Sequence, residues 1–234
     1  MRARDELTRQ RALRLAACLA VLALGIGAAF AQAPAANMSF FVTSANPGKG
    51  GNLGGLAGAD AHCQKLAAAA GGGAKTWRAY LSTSFIPPTT APVHARDRLG
   101  KGPWYNAKGV LIAADVDALH GAGNMITKDT ALNEKGGMVN GRTERPNMHD
   151  ILTGSRPDGT AWPSFPGQPN MTCGEWRNNG AGAAMVGHHD RASPDTSNSP
   201  WGVSWNSSHL TAGCSKEDLP KSGGNGLFYC FAAN

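Results

Sequence analysis

The sequence predicts a loop-rich domain of the α+β class, exported and held together by two disulfide bridges. Three observations predict it. Leu56, Ala59, Cys63, Leu66 and Ala70 recur at helical spacing. Several short stretches alternate in period two or are rich in aromatic and β-branched residues, with Gly and Pro between them. Four cysteines lie beyond residue 31, and Cys173 and Cys214 bracket a loop rich in Gly, Ser and Asn, whose aliphatic residues are too few to offset the entropy of ordering it.

Taken in order, the chain opens with what reads as a secretory signal peptide. Residues 1–14 hold five arginines, residues 15–30 are apolar, and Ala29-Phe30-Ala31 supplies a small-x-small cleavage pattern, so cleavage is expected after Ala31. The apolar run, roughly 16 residues, falls short of the ~20 that span a bilayer, so no membrane span is expected after cleavage. Five of the 22 basic and two of the 16 acidic residues lie in this segment, and the formal charge of +6 falls to +3 without it. That balance is too weak for a nucleic-acid partner, and the expected location is secreted or periplasmic. About 200 residues remain, enough for one domain with its own core. Residues 32–37 are expected as a linker and 38–234 as the domain.

Within it, residues 38–44 are expected as a first strand that ends at the turn Asn46-Pro47-Gly48. The helix follows, stopped by Gly71, Gly72 and Gly73, with Cys63 toward the core. Residues 76–83 alternate, placing Trp77, Ala79 and Leu81 on one face of a strand. Prolines at 87, 88 and 92 break regular structure; residues 93–99 suit a short helix and 110–113 a strand. Loop is expected from there to a strand at 151–154, and Leu227-Phe228-Tyr229-Cys230-Phe231 closes the chain as an apolar strand. Four cysteines allow three connectivities. Their positions favour Cys173 with Cys214, which encloses the polar loop, and Cys63 with Cys230, which staples the ends.

The helix bearing Cys63, the strand Thr76-Trp77-Arg78-Ala79-Tyr80-Leu81-Ser82, the turn Gly154-Ser155-Arg156-Pro157-Asp158-Gly159, Cys173-Gly174-Glu175-Trp176-Arg177, and Cys214 before Leu227-Phe228-Tyr229-Cys230 follow one another in an order that resembles the C-type-lectin-like fold. Within that fold the chain is most similar to the endostatin domain of collagens XV and XVIII. The resemblance covers most of residues 38–232. It implies a mixed α/β domain with nested bridges, Cys63–Cys230 and Cys173–Cys214, and a recognition role toward a glycan or a cell-surface protein.

Calcium-dependent lectins of this fold hold sugar through Glu-Pro-Asn or Gln-Pro-Asp and a later Trp-Asn-Asp, because calcium wants six to eight oxygens. Here the matching stretches are Gln168-Pro169-Asn170 and Trp205-Asn206-Ser207. Ser207 stands where a carboxylate is expected and Gln168 is neutral, so any calcium is expected to bind weakly. The structural alternative makes the first stretch an ordinary turn and Trp205 a core anchor. Candidate ligand-binding residues are therefore Gln168, Asn170, Trp201, Trp205 and Asn206. Among the other aromatics, Trp104, Tyr105 and Trp162 sit in polar surroundings and can stack on sugar rings if exposed, whereas Trp77 and Trp176 are expected in the core.

His188-His189-Asp190, His209 and His149-Asp150 are residue types that bind zinc. Neighbouring histidines on a strand point to opposite faces, so His188 and His189 are not expected to share one ion, and the expectation is of polar loop histidines. The endostatin zinc site has no counterpart in the matching positions. Gly-x-Ser-x-Gly, His-Glu-x-x-His and a phosphate loop are absent from the sequence. Enzymes of the formylglycine-generating type share the fold but need reactive thiols, and the expected bridges use all four cysteines. The expected function is thus a non-enzymatic exported recognition domain, with such an enzyme, or an envelope or adhesion protein without a small ligand, as the alternatives. Eight arginines, at 78, 96, 98, 142, 145, 156, 177 and 191, can form an anionic-glycan surface; at +3 they are expected to be scattered and paired.

Overall fold

The computed structural model describes residues 33–84, 91–164, 170–193 and 202–233. Gln168, Trp201 and residues 1–32, with the expected signal peptide, lie outside them. From Ala33 onward the chain forms one compact unit. Its elements are β1 (Phe40–Val42), α1 (Gly55–Ala69), β2 (Trp77–Ala79), a 3-10 turn (Ala95–Arg98), β3 (Trp104–Tyr105), β4 (Leu111–Ala113), α2 (Val116–His120), β5 (Asp150–Leu152), a helical turn (Cys173–Trp176), β6 (Met185–His188), β7 (His209–Leu210), α3 (Leu219–Ser222) and β8 (Gly224–Ala232).

β8 is the strand on which the others are assembled. It pairs antiparallel with β1, Phe41 opposite Cys230, and with β2, Ala79 opposite Cys230; upstream it pairs parallel with β5, Leu152 opposite Phe228. β6 and β7 extend the sheet beyond β5. Successive side chains of a strand face opposite ways. Phe228 and Cys230 accordingly join Phe41, Trp77, Cys63 and Trp176 in one core, while Leu227, Tyr229 and Phe231 join Phe40, Tyr80, Trp104 and Trp205 in another. Both faces of β8 are buried, which is why it reads as a continuous apolar run instead of an alternating one.

The first core is roofed by α1, whose Ala59, Cys63 and Ala67 are fully buried. Their small size lets the helix lie close enough for the Cys63–Cys230 bridge, with Cα atoms 5.6 Å apart. Asp60, on the same helix, accepts from both Arg78 and Arg98 and from the Ala79 amide. A carboxylate so enclosed is tolerable because it is paired and hydrogen-bonded. The second bridge, Cys173–Cys214, is also formed. No helix among the described residues is long and apolar enough to cross a membrane.

Several expectations need correction. Residues 33–37 are not a free linker: the Ala35 amide donates to the Ala107 carbonyl at 2.8 Å, and Lys75 Nζ donates to the Ala36 carbonyl at 3.2 Å. The stretch expected as loop before residue 150 contains α2, capped by Asp115 accepting from the Ala118 amide at 2.7 Å. The pinned segment between the second pair of cysteines contains β6 and β7. Its leading turn, Cys173–Trp176, winds left-handed, with φ of 48°, 59°, 60° and 62°. Only Gly174 adopts this cheaply; each of the other three costs about 1–2 kcal/mol. The Cys173–Cys214 bridge and the Glu175 carboxylate, which accepts from Ser84, Asn170 and Thr172, hold the turn in place.

Candidate metal centre

The ends of three neighbouring strands bring four side chains together. Asp150 opens β5 and lies directly opposite His188 on β6, and His209 on β7 lies opposite Val186, two residues from His188. Paired residues share a face, and so do residues two apart, so Asp150, His188 and His209 all project to one side. His149, just before β5, joins them where the β5–β8 register is interrupted between Asp150 and Ile151. Its ring stacks on that of His188 with centroids 4.1 Å apart. Gly223 closes the floor: a Cβ there would sit 2.9 Å from His149 Nε2.

Three imidazole nitrogens converge on one carboxylate oxygen. The Nε2 atoms of His149, His188 and His209 lie 3.1, 3.3 and 3.4 Å from Asp150 Oδ1. His149, Asp150 and His188 are buried, and the four ligand atoms all lie within 4.8 Å of one another. Each Nδ1 faces an acceptor of its own: Asp190 Oδ1 at 3.4 Å for His149, the Gly202 carbonyl at 2.8 Å for His188, and the Leu210 carbonyl at 3.0 Å for His209. Those partners place the proton on Nδ1 and leave the Nε2 lone pairs aimed at an anionic oxygen. Acceptors then confront an acceptor, and both Asp150 oxygens and His188 Nε2 lack a hydrogen-bond partner among the described residues. Such an arrangement is unfavourable in a buried site unless a cation fills its centre.

The donor set and spacing suit an ion of the zinc type. A tetrahedron with bonds of about 2.05 Å has edges of about 3.3 Å, the spacing between the carboxylate oxygen and each nitrogen here. Second-sphere acceptors on the far nitrogen of each histidine are what orient metal-binding imidazoles. A proton on Nε2 satisfies Asp150 in the same way as an ion, and with the imidazoles as donors the four groups shift one another's titration. Burial alone would raise the Asp150 carboxyl, but the imidazoles of His188, His209 and His149 outweigh it and hold the group below the ordinary carboxylate value. Asp150 in turn raises His209. Asp190, although partly buried, is also held low, by His149 and the amides of Arg142 and Ala192. A cleft of about 310 Å³ opens over the imidazoles, rimmed by Arg142, Arg145, Asn147 and Lys221.

Of the residues expected to bind ligand, Asn170, Trp205 and Asn206 lie among the described residues, and all three serve the framework. Trp205 is 4% exposed, packed against Tyr80 and Tyr229, so its ring is the core anchor and has no face for a sugar. Asn206, also buried, donates to the Tyr80 hydroxyl and the Arg156 and Pro157 carbonyls, and its oxygen accepts from Ser204. The side chain is buried and its amide group is committed to framework hydrogen bonds. Asn170 organises the left-handed turn, accepting from the Thr172 and Gly174 amides. Trp104 is buried with its indole N–H on the Ala232 carbonyl, while Trp162 is half-buried beneath the Arg156 guanidinium.

Of the histidines expected as polar loop residues, His149, His188 and His209 meet in this cluster. His188 and His189 do diverge: His189 turns to the Asn140 carbonyl at 3.1 Å, and burial lowers its pKa to about 4. The missing step was that His188 finds its partners on neighbouring strands. No family model matches this chain, and no curated protein matches it.

Proposed function

We propose that this protein is an exported, non-enzymatic recognition domain built around one divalent ion of the zinc type, held by the Nε2 atoms of His149, His188 and His209 and by the Asp150 carboxylate. The observation that carries the metal is the confrontation of three Nε2 lone pairs with one buried carboxylate oxygen, each Nδ1 being engaged elsewhere. Recognition is supported by the cleft above the imidazoles, and a glycan is proposed as the ligand on the resemblance to lectin-like domains. The formylglycine-generating alternative lacks its thiols, since Cys63, Cys173, Cys214 and Cys230 are all bridged.

Zinc titration by calorimetry, with atomic emission on dialysed protein, tests the centre. One equivalent should bind and raise the melting temperature, since a ligand that binds only the folded state stabilises it. His209→Ala, at the most exposed ligand, should lower affinity at least tenfold while the apo domain stays folded. A parent protein that takes up no stoichiometric zinc, cobalt or copper would sink the proposal. A glycan array probed with and without chelator tests the recognition role.

A further inference from the structure

The metal centre leaves positive charge at its mouth. A divalent ion is balanced by Asp150 and Asp190, the two carboxylates in contact with its histidines. On the rim, Lys221 is already held by Asp218 at 2.6 Å, and nearby Glu144 is taken by Lys128 at 2.6 Å. Arg142 and Arg145 differ. Both are exposed and line the cleft, and neither guanidinium has an ion pair or hydrogen bond among the described residues. The Arg142 backbone is nevertheless fixed, its amide donating to Asp190 Oδ2 at 2.8 Å, so the carboxylate that orients His149 also positions this arginine.

Two unpaired guanidinium groups beside an ion define a chemical class. Guanidinium presents parallel N–H donors matched to the oxygens of carboxylate or phosphate. Zinc-type ions expand from four to five ligands, and the imidazole side of this centre is the side that faces the cleft. At about 310 Å³ the space is at the small end of ligand pockets, the size of an acidic headgroup and too small for an extended chain. We infer that the cleft takes an oxyanion, the phosphate or carboxylate group of a small molecule or sugar acid, with one oxygen on the bound metal and the others on Arg142 and Arg145. This rests on the metal reading above and narrows its ligand from glycans in general to anionic ones.

The test uses the cobalt-loaded domain, whose visible bands report coordination directly. Inorganic phosphate and galacturonate are titrated separately, with galactose as the neutral control; the two acids distinguish a phosphate from a carboxylate source. The expected result is a saturable band shift with at least one acid and none with galactose. The Arg142→Ala/Arg145→Ala double variant should weaken that binding tenfold or more with cobalt affinity and melting temperature unchanged. Cobalt bands that ignore both acids, or acid binding undiminished in the double variant, overturn this inference and leave the metal centre standing. A parent that takes up neither cobalt nor zinc nor copper overturns both.

Discussion

His120 sits between two fixed partners. Its Nδ1 donates to the Val116 carbonyl at 2.7 Å, so Nε2 is left to accept the Tyr80 hydroxyl at 2.8 Å, and Asn206 completes the chain by donating to the Tyr80 oxygen. The imidazole is therefore neutral in the fold, and burial, with Arg96 nearby, lowers its pKa from the ordinary 6.5. A histidine whose pKa is lower when folded contributes stability that is present above its unfolded pKa and lost as pH falls toward the folded one. Melting temperature should drop as pH is taken below about 6.5, and His120→Gln, which cannot charge, should flatten that slope; equal slopes in parent and variant would place the acid sensitivity elsewhere. At this scale the sequence was informative about residue type and poor about partnership. All four side chains of the proposed metal centre stood out as zinc-type residues, but Asp150 and His188 are neighbours only through a strand pairing that joins positions 38 residues apart.

β6 illustrates what limits reading at the scale of elements. Met185-Val186-Gly187-His188 does not alternate in hydropathy, and its glycine looks like a breaker, yet all four residues are buried. Gly187 is there because the Trp205 carbonyl passes so close that a Cβ would lie 1.9 Å from its oxygen. Overpacking against backbone cannot be relieved by a rotamer change, so Gly187→Ala should destabilise the domain by about 3 kcal/mol or more in urea denaturation and disturb His188 beside it. A loss below about 1 kcal/mol would show that the loop around Trp205 yields more easily than its packing implies. By contrast α1 and β2 were legible because their apolar residues recur at the period of the element that buries them, and β8 because a strand buried on both faces is an unbroken apolar run. β7 and α2, of two and five residues, are too short to carry a period.

On the scale of the whole molecule, the two bridges do different work. Cys63–Cys230 closes a span of 167 residues and Cys173–Cys214 one of 41. In the chain-entropy treatment these contribute about 5 and about 4 kcal/mol by restricting the unfolded chain. Cys63→Ser with Cys230→Ser should therefore lower stability somewhat more than Cys173→Ser with Cys214→Ser. The second pair should show the more local change, because the left-handed turn loses its clamp. Thermal unfolding with non-reducing peptide mapping checks both, and a larger loss from the 173–214 pair would mean that backbone strain outweighs loop length here.

The position of β8 sets a timetable. β1 and β2 are made early, and neither has a partner in the main sheet until the chain has reached residue 232. A ribosome reading this message releases Phe40, Phe41 and Trp77 well before the strand that will cover them, and the Cys63 thiol waits equally long for its mate. Such late, long-range closure makes folding slow and leaves apolar surface open to misassociation. If the chain is exported as proposed, the delay is an advantage: a domain that cannot lock until its last strand is made stays threadable through a translocation channel, and an oxidising milieu beyond it can form the bridge that completes the fold.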